Sequence, residues 1–177
     1  KIISFVGKLN KAKGYDIFGK AIVRILDKHP SWKAKVYGDE PREKLFFNHK
    51  NLLLLGFQEN NTILRDLKKI SISVICSRWE EPFGRTSLEA SSCGCAVIIT
   101  NRGGLPETIT NGIIIEKLTK LNVFNAIEKL ITNKKKRLEL QSLSLVNFSL
   151  TNKHASNLID IYRNDIIDNS TSLIKKG

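Results

Sequence analysis

Residues 72–100, with the sequence ISVICSRWEEPFGRTSLEASSCGCAVIIT, have the pattern of a strand, a turn, a helix and a second strand. The short runs 72–76 and 96–100 are almost wholly apolar, which is typical of strands buried on both faces. Pro82 and Gly84 mark a turn between them, and the residues that follow Gly84 continue with helical spacing. This arrangement predicts two parallel strands that are joined by a crossover helix.

The same alternation extends over the first two thirds of the chain. Segments with helical spacing at 15–28 and 61–70 separate further apolar runs of strand length, which lie at 2–6, 34–37, 52–55 and 113–115. These runs are also nearly uniformly apolar, so we expect every strand to be buried on both faces. We therefore predict an α/β fold, with a doubly wound, mostly parallel and Rossmann-like sheet of about six strands. Helices alone are expected after it, at 121–132, 134–148 and 152–167.

The chain of 177 residues is long enough for one well-filled core. We expect a single domain over 1–168 and a frayed polar tail over 169–177. The chain has no methionine and begins directly with a strand-like segment, so we expect it to be a piece of a larger protein. No apolar run approaches the roughly 20 residues that span a bilayer, and the piece is expected to be soluble.

The formal net charge of +12 is the strongest global feature, and it is concentrated in the first 50 residues, which hold 12 Lys or Arg against 5 Asp or Glu. A diffuse excess usually marks a solvated face, but it also attracts phosphates and acidic membrane surfaces. A basic nucleic-acid-binding α/β module is the alternative function. Its weakness is that aromatic residues such as Trp32 and Trp79 do not alternate with lysines as a stacking platform requires.

The three cysteines do not form a zinc-ligand pattern, because no histidine lies near them in the sequence. Cys93-Gly94-Cys95 has two interpretations, a redox-active pair or two small buried residues at a helix end. The second interpretation is favoured, and no metal is predicted.

The loops after the predicted strands are the place to look for a ligand, since parallel sheets bind ligands outside the carboxyl ends of their strands. The first loop, 7–14, has a glycine at each end and three lysines between them, a composition suited to an anion. Solvated lysines are the simpler interpretation of this loop. A third loop, 101–107, contains Gly103 and Gly104 before a short predicted helix, and a plain connection is its alternative.

The second loop leads to a helix whose N-terminus favours phosphate, yet Glu81 precedes it and Glu89 lies inside it. At 1.5 Å per residue, Glu89 lies roughly 8 Å along the axis from the helix start. Carboxylates accept hydrogen bonds from vicinal hydroxyl groups, so this spacing suits a nucleotide-sugar with its pyrophosphate over the helix start. Spacing alone favours a simpler interpretation, a dipole-complementing Glu and a second Glu on a solvated face.

Together these motifs resemble the C-terminal, donor-binding half of a retaining GT-B glycosyltransferase of family 4, the glycosyl transferases group 1. Glu81-Pro82-Phe83-Gly84 with Leu88-Glu89-Ala90 matches the Glu-x7-Glu signature of that family. Cys93-Gly94-Cys95-Ala96-Val97 stands where the family has Cys-Gly-x-Pro-Val, and 103–107 follows at the expected distance. The resemblance extends from Gly7 to about Tyr162.

The resemblance implies roles for individual residues. Lys8 and Lys13 would hold the donor diphosphate and, with Glu81 on the donor sugar, form the catalytic set. Glu89 would bind the ribose. The remaining donor-binding residues would be Gly7, Gly56, Phe57, Phe83, Gly84, Arg85, Thr86, Gly103 and Gly104. No metal or cofactor is implied. Lys8 replaces the usual Arg, which keeps the charge but loses the bidentate fork, and Cys95-Ala96 lacks the family's proline.

The resemblance also implies the substrate class and the partners. The donor would be a nucleotide-sugar, with a UDP-sugar favoured and GDP- or ADP-sugar left open. The acceptor would be a glycan or lipid-linked glycan, bound by an N-terminal domain that is absent, so the fragment alone is expected to be inactive. We expect a cytoplasmic location, with peripheral contact with anionic lipid at the inner face of the plasma membrane as a further hypothesis. No nucleic-acid partner is expected.

Overall fold

The described residues form one sheet of parallel strands in the order β3-β2-β1-β4-β5-β6. The strands are β1 Ile2–Val6, β2 Lys33–Tyr37, β3 Leu52–Leu54, β4 Ile72–Ile75, β5 Ala96–Thr100 and β6 Gly112–Ile115. The structure is a computed structural model. It describes the backbone of residues 1–149 and 151–174, and the side chains of 1–149 and 151–167.

Helices follow most of the strands and cover both faces of the sheet. They are α1 Tyr15–Lys28, α2 Asn60–Leu67, α3 Arg85–Ser92, α4 Lys120–Thr132, α5 Lys134–Val146 and α6 Asn152–Ile174, with a short 3-10 helix at Leu105–Thr108. Each predicted apolar run overlaps one strand, and the predicted doubly wound α/β fold is confirmed.

Two apolar clusters lie on opposite faces of the sheet because successive side chains of a strand alternate in direction. One cluster packs α1 and α4 against residues such as Phe5, Val74 and Ile98. The other packs α2, α3 and the 3-10 helix against residues such as Ile75 and Val97. The central strands therefore carry apolar residues at nearly every position, as expected for strands buried on both faces.

The two edge strands differ from the prediction that every strand is buried on both faces. Leu53 and Leu54 of β3 are 42% and 43% exposed, and Ile114 of β6 is 44% exposed. Each of these strands has a neighbour on one side only and is less covered by helices than the centre. The prediction was wrong for both edges because apolar content does not reveal the order of strands in a sheet.

Helix α6 extends beyond the predicted 152–167 to Ile174, into the segment that we expected to be a frayed tail. Residues 175–177 lie outside the described part of the chain, and the domain boundary at 168 stays a prediction. No helix among the described residues is long and apolar enough to cross a membrane.

The strand order reverses at β1, which pairs with β2 on one side and with β4 on the other. At such a reversal the helices that follow the two central strands lie on opposite faces, which leaves a crevice outside the carboxyl ends. Ser4 and Ser73 face each other across this pair and form a buried hydrogen bond of 3.1 Å. The fold therefore places a crevice at the ends of β1 and β4.

Helix α2 is attached to β2 by a polar contact in addition to its apolar side. The Tyr37 hydroxyl donates a hydrogen bond to Asp66 Oδ2, and Lys35 Nζ lies 2.7 Å from the same oxygen. These two donors favour the ionised form and hold the pKa of the Asp66 carboxyl below its ordinary value. These two contacts of Asp66 hold α2 against β2, beside the crevice.

We predict that Asp66→Asn lowers the free energy of unfolding at pH 7 by about 1–2 kcal/mol, since charge-assisted hydrogen bonds are lost. Because the folded pKa lies below the unfolded value of about 3.9, this contribution is complete above that value. It is lost as the pH falls through the folded pKa. Urea unfolding between pH 7 and pH 3 measures the difference between the two proteins.

Asp160→Asn is the matched control, because Asp160 is an exposed aspartate on α6. Its stability difference from the unsubstituted chain should be small at every pH. An Asp66→Asn difference that is equally large at pH 7 and at pH 3 would show that the lost stability does not come from the ionised carboxylate.

Candidate functional site

Two adjacent clefts open at the carboxyl edge of the sheet, one on each side of the end of β1. The first has a volume of about 170 Å³, and its lining includes Gly7, Lys13, Ser77, Glu81, Gly84, Arg85, Thr86 and Leu105. The second has a volume of about 340 Å³, and its lining includes Gly7, Lys8, Tyr37, Phe57, Gln58 and Ile63. Both clefts contact Val6 and Gly7, so together they form one elongated depression over the strand reversal.

The N-terminus of α3 forms one wall of the first cleft. Gly84 precedes it with a φ of 73°, in the left-handed region, and has no side chain to cap the helix. Among the described residues no acceptor bonds the N–H groups of Arg85 and Thr86. Free N–H groups and the positive end of the helix dipole make this wall a site for an anion.

Glu81 lies beside this helix start with a basic partner. Its Oε1 accepts a hydrogen bond of 2.8 Å from Ser77 Oγ and forms an ion pair with Lys13 Nζ. The side chain of Glu81 is 12% exposed and that of Lys13 is 33% exposed. The contacts found in the described part of the chain leave Oε2 without a donor. Glu81 therefore presents a free acceptor oxygen at the cleft.

Glu89 lies one turn along α3 from Arg85 and is held in a similar way. Its Oε1 accepts 2.8 Å hydrogen bonds from Arg85 Nε and from Asn60 Nδ2, the first residue of α2. The side chain is 15% exposed. Four residues of α-helix separate Arg85 from Glu89, about 6 Å along the axis. Along the chain, Glu81 thus precedes the free N–H groups of α3 and Glu89 follows them.

Lys13 is brought to Glu81 by close contact between two loops. Gly14 follows it with a φ of 73°, and a Cβ at this position would lie 1.8 Å from the carbonyl oxygen of Cys76. The Arg78 N–H donates to the Ala12 carbonyl at 2.8 Å. Only glycine allows this approach, which places the loop at residues 7–14 against the end of β4.

Comparison with known proteins gives the family of the chain. A family model described as Glycosyl transferases group 1 matches residues 1–142, four fifths of the chain. The chain belongs to this family.

The relatives of this glycosyltransferase family member are longer than the chain. It is 30% identical over 186 residues to Spore coat protein SA of Bacillus subtilis, a match that covers 92% of the chain and 48% of that protein. The chain thus spans about half the length of that relative.

Solved structures agree with the fold. One is the crystal structure of the C-terminal domain of LpcC, a group 1 glycosyl transferase of Francisella tularensis. Its sequence is 29% identical to this chain, and the two structures align with a TM-score of 0.72. The match covers 81% of this chain and 82% of that one. Anabaena HepE, solved in complex with UDP-glucose, has a TM-score of 0.72 at 21% identity, which shows a shared fold. That match covers 84% of this chain and 43% of HepE. The fold is that of a GT-B C-terminal domain.

The double glycine of this family member contacts the Glu81 loop directly. The Gly103 N–H donates to Glu80 Oε2, and the Gly104 N–H donates to the Glu81 carbonyl, both at 2.6 Å. Arg102 Nη1 lies 3.0 Å from Glu80 Oε1. Both glycine N–H groups therefore have protein partners, and in this structure they hold the loop that carries Glu81. Their contact with a donor stays a prediction.

The other predicted site residues divide between the clefts. Gly7, Lys13, Glu81, Gly84, Arg85 and Thr86 line the first, whereas Lys8 and Phe57 line the second. Phe57 is 75% exposed there, and Phe83, 52% exposed, lines neither cleft. Gly56 and Glu89 also lie outside both linings. The roles that the family resemblance implies for these residues stay predictions.

Three side chains were missed by the sequence reasoning. Ser77 bonds Glu81, Asn60 bonds Glu89, and Glu80 bonds the double-glycine loop. Ser77 lies two residues after the end of β4, so its place near a strand end was a usable signal. Asn60 and Glu80 gave no such signal, because their partners lie 29 and 23 residues away in the sequence.

Cys93 and Cys95 lie at the C-terminal end of α3, away from the helix start. Burial raises the pKa of the Cys95 thiol to about 12 and also raises the pKa of Cys93. Both are thus protonated at neutral pH, which favours the structural interpretation of the pair. Among the described residues no cluster of three or more His, Cys, Asp or Glu could hold a metal ion.

We predict that Gly84→Ala destabilises the fold more than Gly56→Ala does. Both glycines have positive φ, 73° and 65°, so alanine costs about 1 kcal/mol of backbone strain at each. At Gly84 the added Cβ would also lie 2.6 Å from Leu105 Cδ2, whereas nothing lies within 4 Å at Gly56. Denaturant unfolding should show an extra loss of about 1–3 kcal/mol for Gly84→Ala. Equal losses would mean that Leu105 does not constrain the start of α3.

Proposed function

We propose that the chain is the donor-binding domain of a retaining glycosyltransferase. It binds a nucleotide-diphosphate sugar, and the complete enzyme transfers the sugar to an acceptor such as a glycan or lipid-linked glycan. The observation that carries this proposal is the free N-terminus of α3 between two carboxylates that each keep one free oxygen. A diphosphate flanked by two hydroxyl-bearing groups has this pattern of charge and hydrogen-bonding groups.

The proposed pose follows the order of these groups. The diphosphate lies over the N–H groups of Arg85 and Thr86, with Lys13 beside it. The ribose hydroxyls bond Glu89, and the hydroxyls of the donor sugar bond Glu81. The second cleft, lined mainly by apolar atoms and by Tyr37, takes the nucleobase, and Lys8 lines that cleft next to Gly7, which both clefts share.

The chain's own groups supply the electrostatics of the proposed reaction. As the bond from the anomeric carbon to the diphosphate breaks, negative charge grows on the leaving phosphate oxygens. In the proposed reaction the α3 dipole, Lys13 and Lys8 stabilise that charge, with no metal ion required. Retention of the anomeric configuration is proposed through a front-face route, in which the leaving phosphate assists deprotonation of the acceptor hydroxyl.

Lys13 has a second effect before the donor arrives. Its ion pair with Glu81 neutralises a carboxylate that would otherwise repel a phosphate at the adjacent helix start. On binding, the lysine is shared between Glu81 and the phosphate, and the net charge of the cleft stays favourable to an anion.

UDP is the favoured nucleotide because Anabaena HepE, of the same fold, was solved with UDP-glucose. The mainly apolar lining of the second cleft gives no reason to prefer one base, so GDP- and ADP-sugars remain in the proposal as alternatives. The acceptor, the cytoplasmic location and peripheral contact with anionic lipid remain proposals that rest on the family resemblance and on the net charge of +12.

We predict that UDP-sugars, or GDP- or ADP-sugars, raise the melting temperature of the chain, because a ligand that binds only the folded state stabilises it. Glu89→Gln should weaken binding of the best nucleotide diphosphate about tenfold or more, since it loses charge-assisted bonds to the ribose. Differential scanning fluorimetry and isothermal titration calorimetry measure the two effects.

Glu139→Gln is the control, because Glu139 is a half-exposed glutamate on α5, away from the clefts. Its affinity should equal that of the unsubstituted chain. A melting curve that no nucleotide of the panel shifts at millimolar concentration would contradict the proposed function.

A further inference from the structure

The two carboxylates at the helix start are held by the same arrangement of donors. Each uses only Oε1, and each receives one bond from a cation and one from a neutral side chain. For Glu81 the pair is Lys13 and Ser77, and for Glu89 it is Arg85 and Asn60. In the described part of the chain no donor bonds either Oε2. The arrangement leaves one oxygen of each carboxylate free.

The cation of each pair is accessible from the first cleft. The Arg85 side chain is 74% exposed and that of Lys13 is 33% exposed, and both belong to the cleft that an anion would enter. A diphosphate competes with the carboxylates for these cations. Ser77 and Asn60 are neutral, so a phosphate attracts them less strongly than it attracts the cations. Their hydrogen bonds to the carboxylates therefore persist.

Ser77 has the rigid surroundings that such a role needs. It is 1% exposed, and its Oγ accepts a 3.1 Å hydrogen bond from the Trp79 N–H. Its carbonyl accepts a 2.7 Å hydrogen bond from Thr100 Oγ1 on the neighbouring strand. The Ser77 hydroxyl is therefore fixed to the sheet.

Asn60 reaches Glu89 from the helix that borders the second cleft. It is the first residue of α2, and it follows closely on Phe57 and Gln58 of the cleft lining. The Asp66 contact with β2 fixes the same helix. Asn60 therefore connects the helix that borders the second cleft to Glu89.

We propose that Ser77 and Asn60 are the positioning residues of the donor site, Ser77 for the sugar through Glu81 and Asn60 for the ribose through Glu89. This inference rests on the proposed function. When the diphosphate draws Lys13 and Arg85 towards it, the neutral donors keep Oε1 of each carboxylate in place. Oε2 then stays free to accept a hydroxyl of the ligand.

The test is a crossed comparison by isothermal titration calorimetry with the full chain. The probes are UDP, 2′,3′-dideoxy-UDP and UDP-glucose, replaced by the guanosine or adenosine set if that nucleotide binds the unsubstituted chain more tightly. The variants are Asn60→Ala and Ser77→Ala. Asn61→Ala, an exposed neighbour, and Ser73→Ala, a buried serine on β4, are the matched controls.

The unsubstituted chain should bind 2′,3′-dideoxy-UDP about tenfold or more weakly than UDP, because the missing ribose hydroxyls bond a carboxylate. The ratio of these two affinities is the ribose ratio. Asn60→Ala should reduce this ratio to about twofold and leave the ratio between UDP-glucose and UDP unchanged. Ser77→Ala should weaken binding of UDP-glucose relative to UDP about fivefold. It should leave the ratio between UDP and 2′,3′-dideoxy-UDP unchanged. The two controls should preserve both ratios.

Other outcomes overturn the inference. Unchanged ratios in Asn60→Ala and Ser77→Ala, while the unsubstituted chain binds the nucleotides, would reject the positioning roles and leave the proposed function intact. Parallel changes of both ratios in either variant, or the same changes in Ser73→Ala, would indicate a merely structural effect. Absence of nucleotide binding by the unsubstituted chain would reject the proposed function and this inference with it.

Discussion

The candidate site depends on close backbone contact between the loop after β1 and the loop after β4. Gly14 lies so near the Cys76 carbonyl that a side chain would overlap it, and the Arg78 N–H bonds the Ala12 carbonyl. This contact joins segments that lie more than 60 residues apart in the sequence. Without it Lys13 would not reach Glu81, and the carboxylate would stand unpaired beside the helix start.

The contact between these two loops also explains why a basic chain has Glu81 and Glu89 near a helix N-terminus that favours anions. Each carboxylate is paired with a cation, so the cleft holds balanced charges before a ligand enters. The carboxylates are held through one oxygen, and the helix N–H groups between them are free. A hydroxyl acceptor and an anion site thus lie together in the first cleft, and a second carboxylate lies one turn along α3.

Much of the fold follows from local patterns in the sequence. Short apolar runs between helical segments predict a parallel sheet because both faces of its central strands are covered, and the structure has these strands. Strand order is not local information, so the exposure of Leu53, Leu54 and Ile114 at the edges was not predicted. The same holds for α6, whose extension past 167 gave no apolar pattern to detect.

The site was predictable where strand ends carry the signal. Lys13, Glu81 and Gly84 follow β1 and β4, and parallel strands bring their carboxyl ends to one edge. Two residues whose contacts are with a neighbouring loop or helix were not predictable. Asn60 and Glu80 are ordinary surface residues until the packing of α2 on α3, or of the double-glycine loop on residue 81, gives them partners.

The most direct measurement is a crystal structure of the chain with a bound nucleotide-sugar. The account predicts the diphosphate at the N–H groups of Arg85 and Thr86, the ribose at Glu89 and the sugar at Glu81. A nucleotide bound away from α3, or with its ribose and sugar exchanged between the two carboxylates, would contradict it.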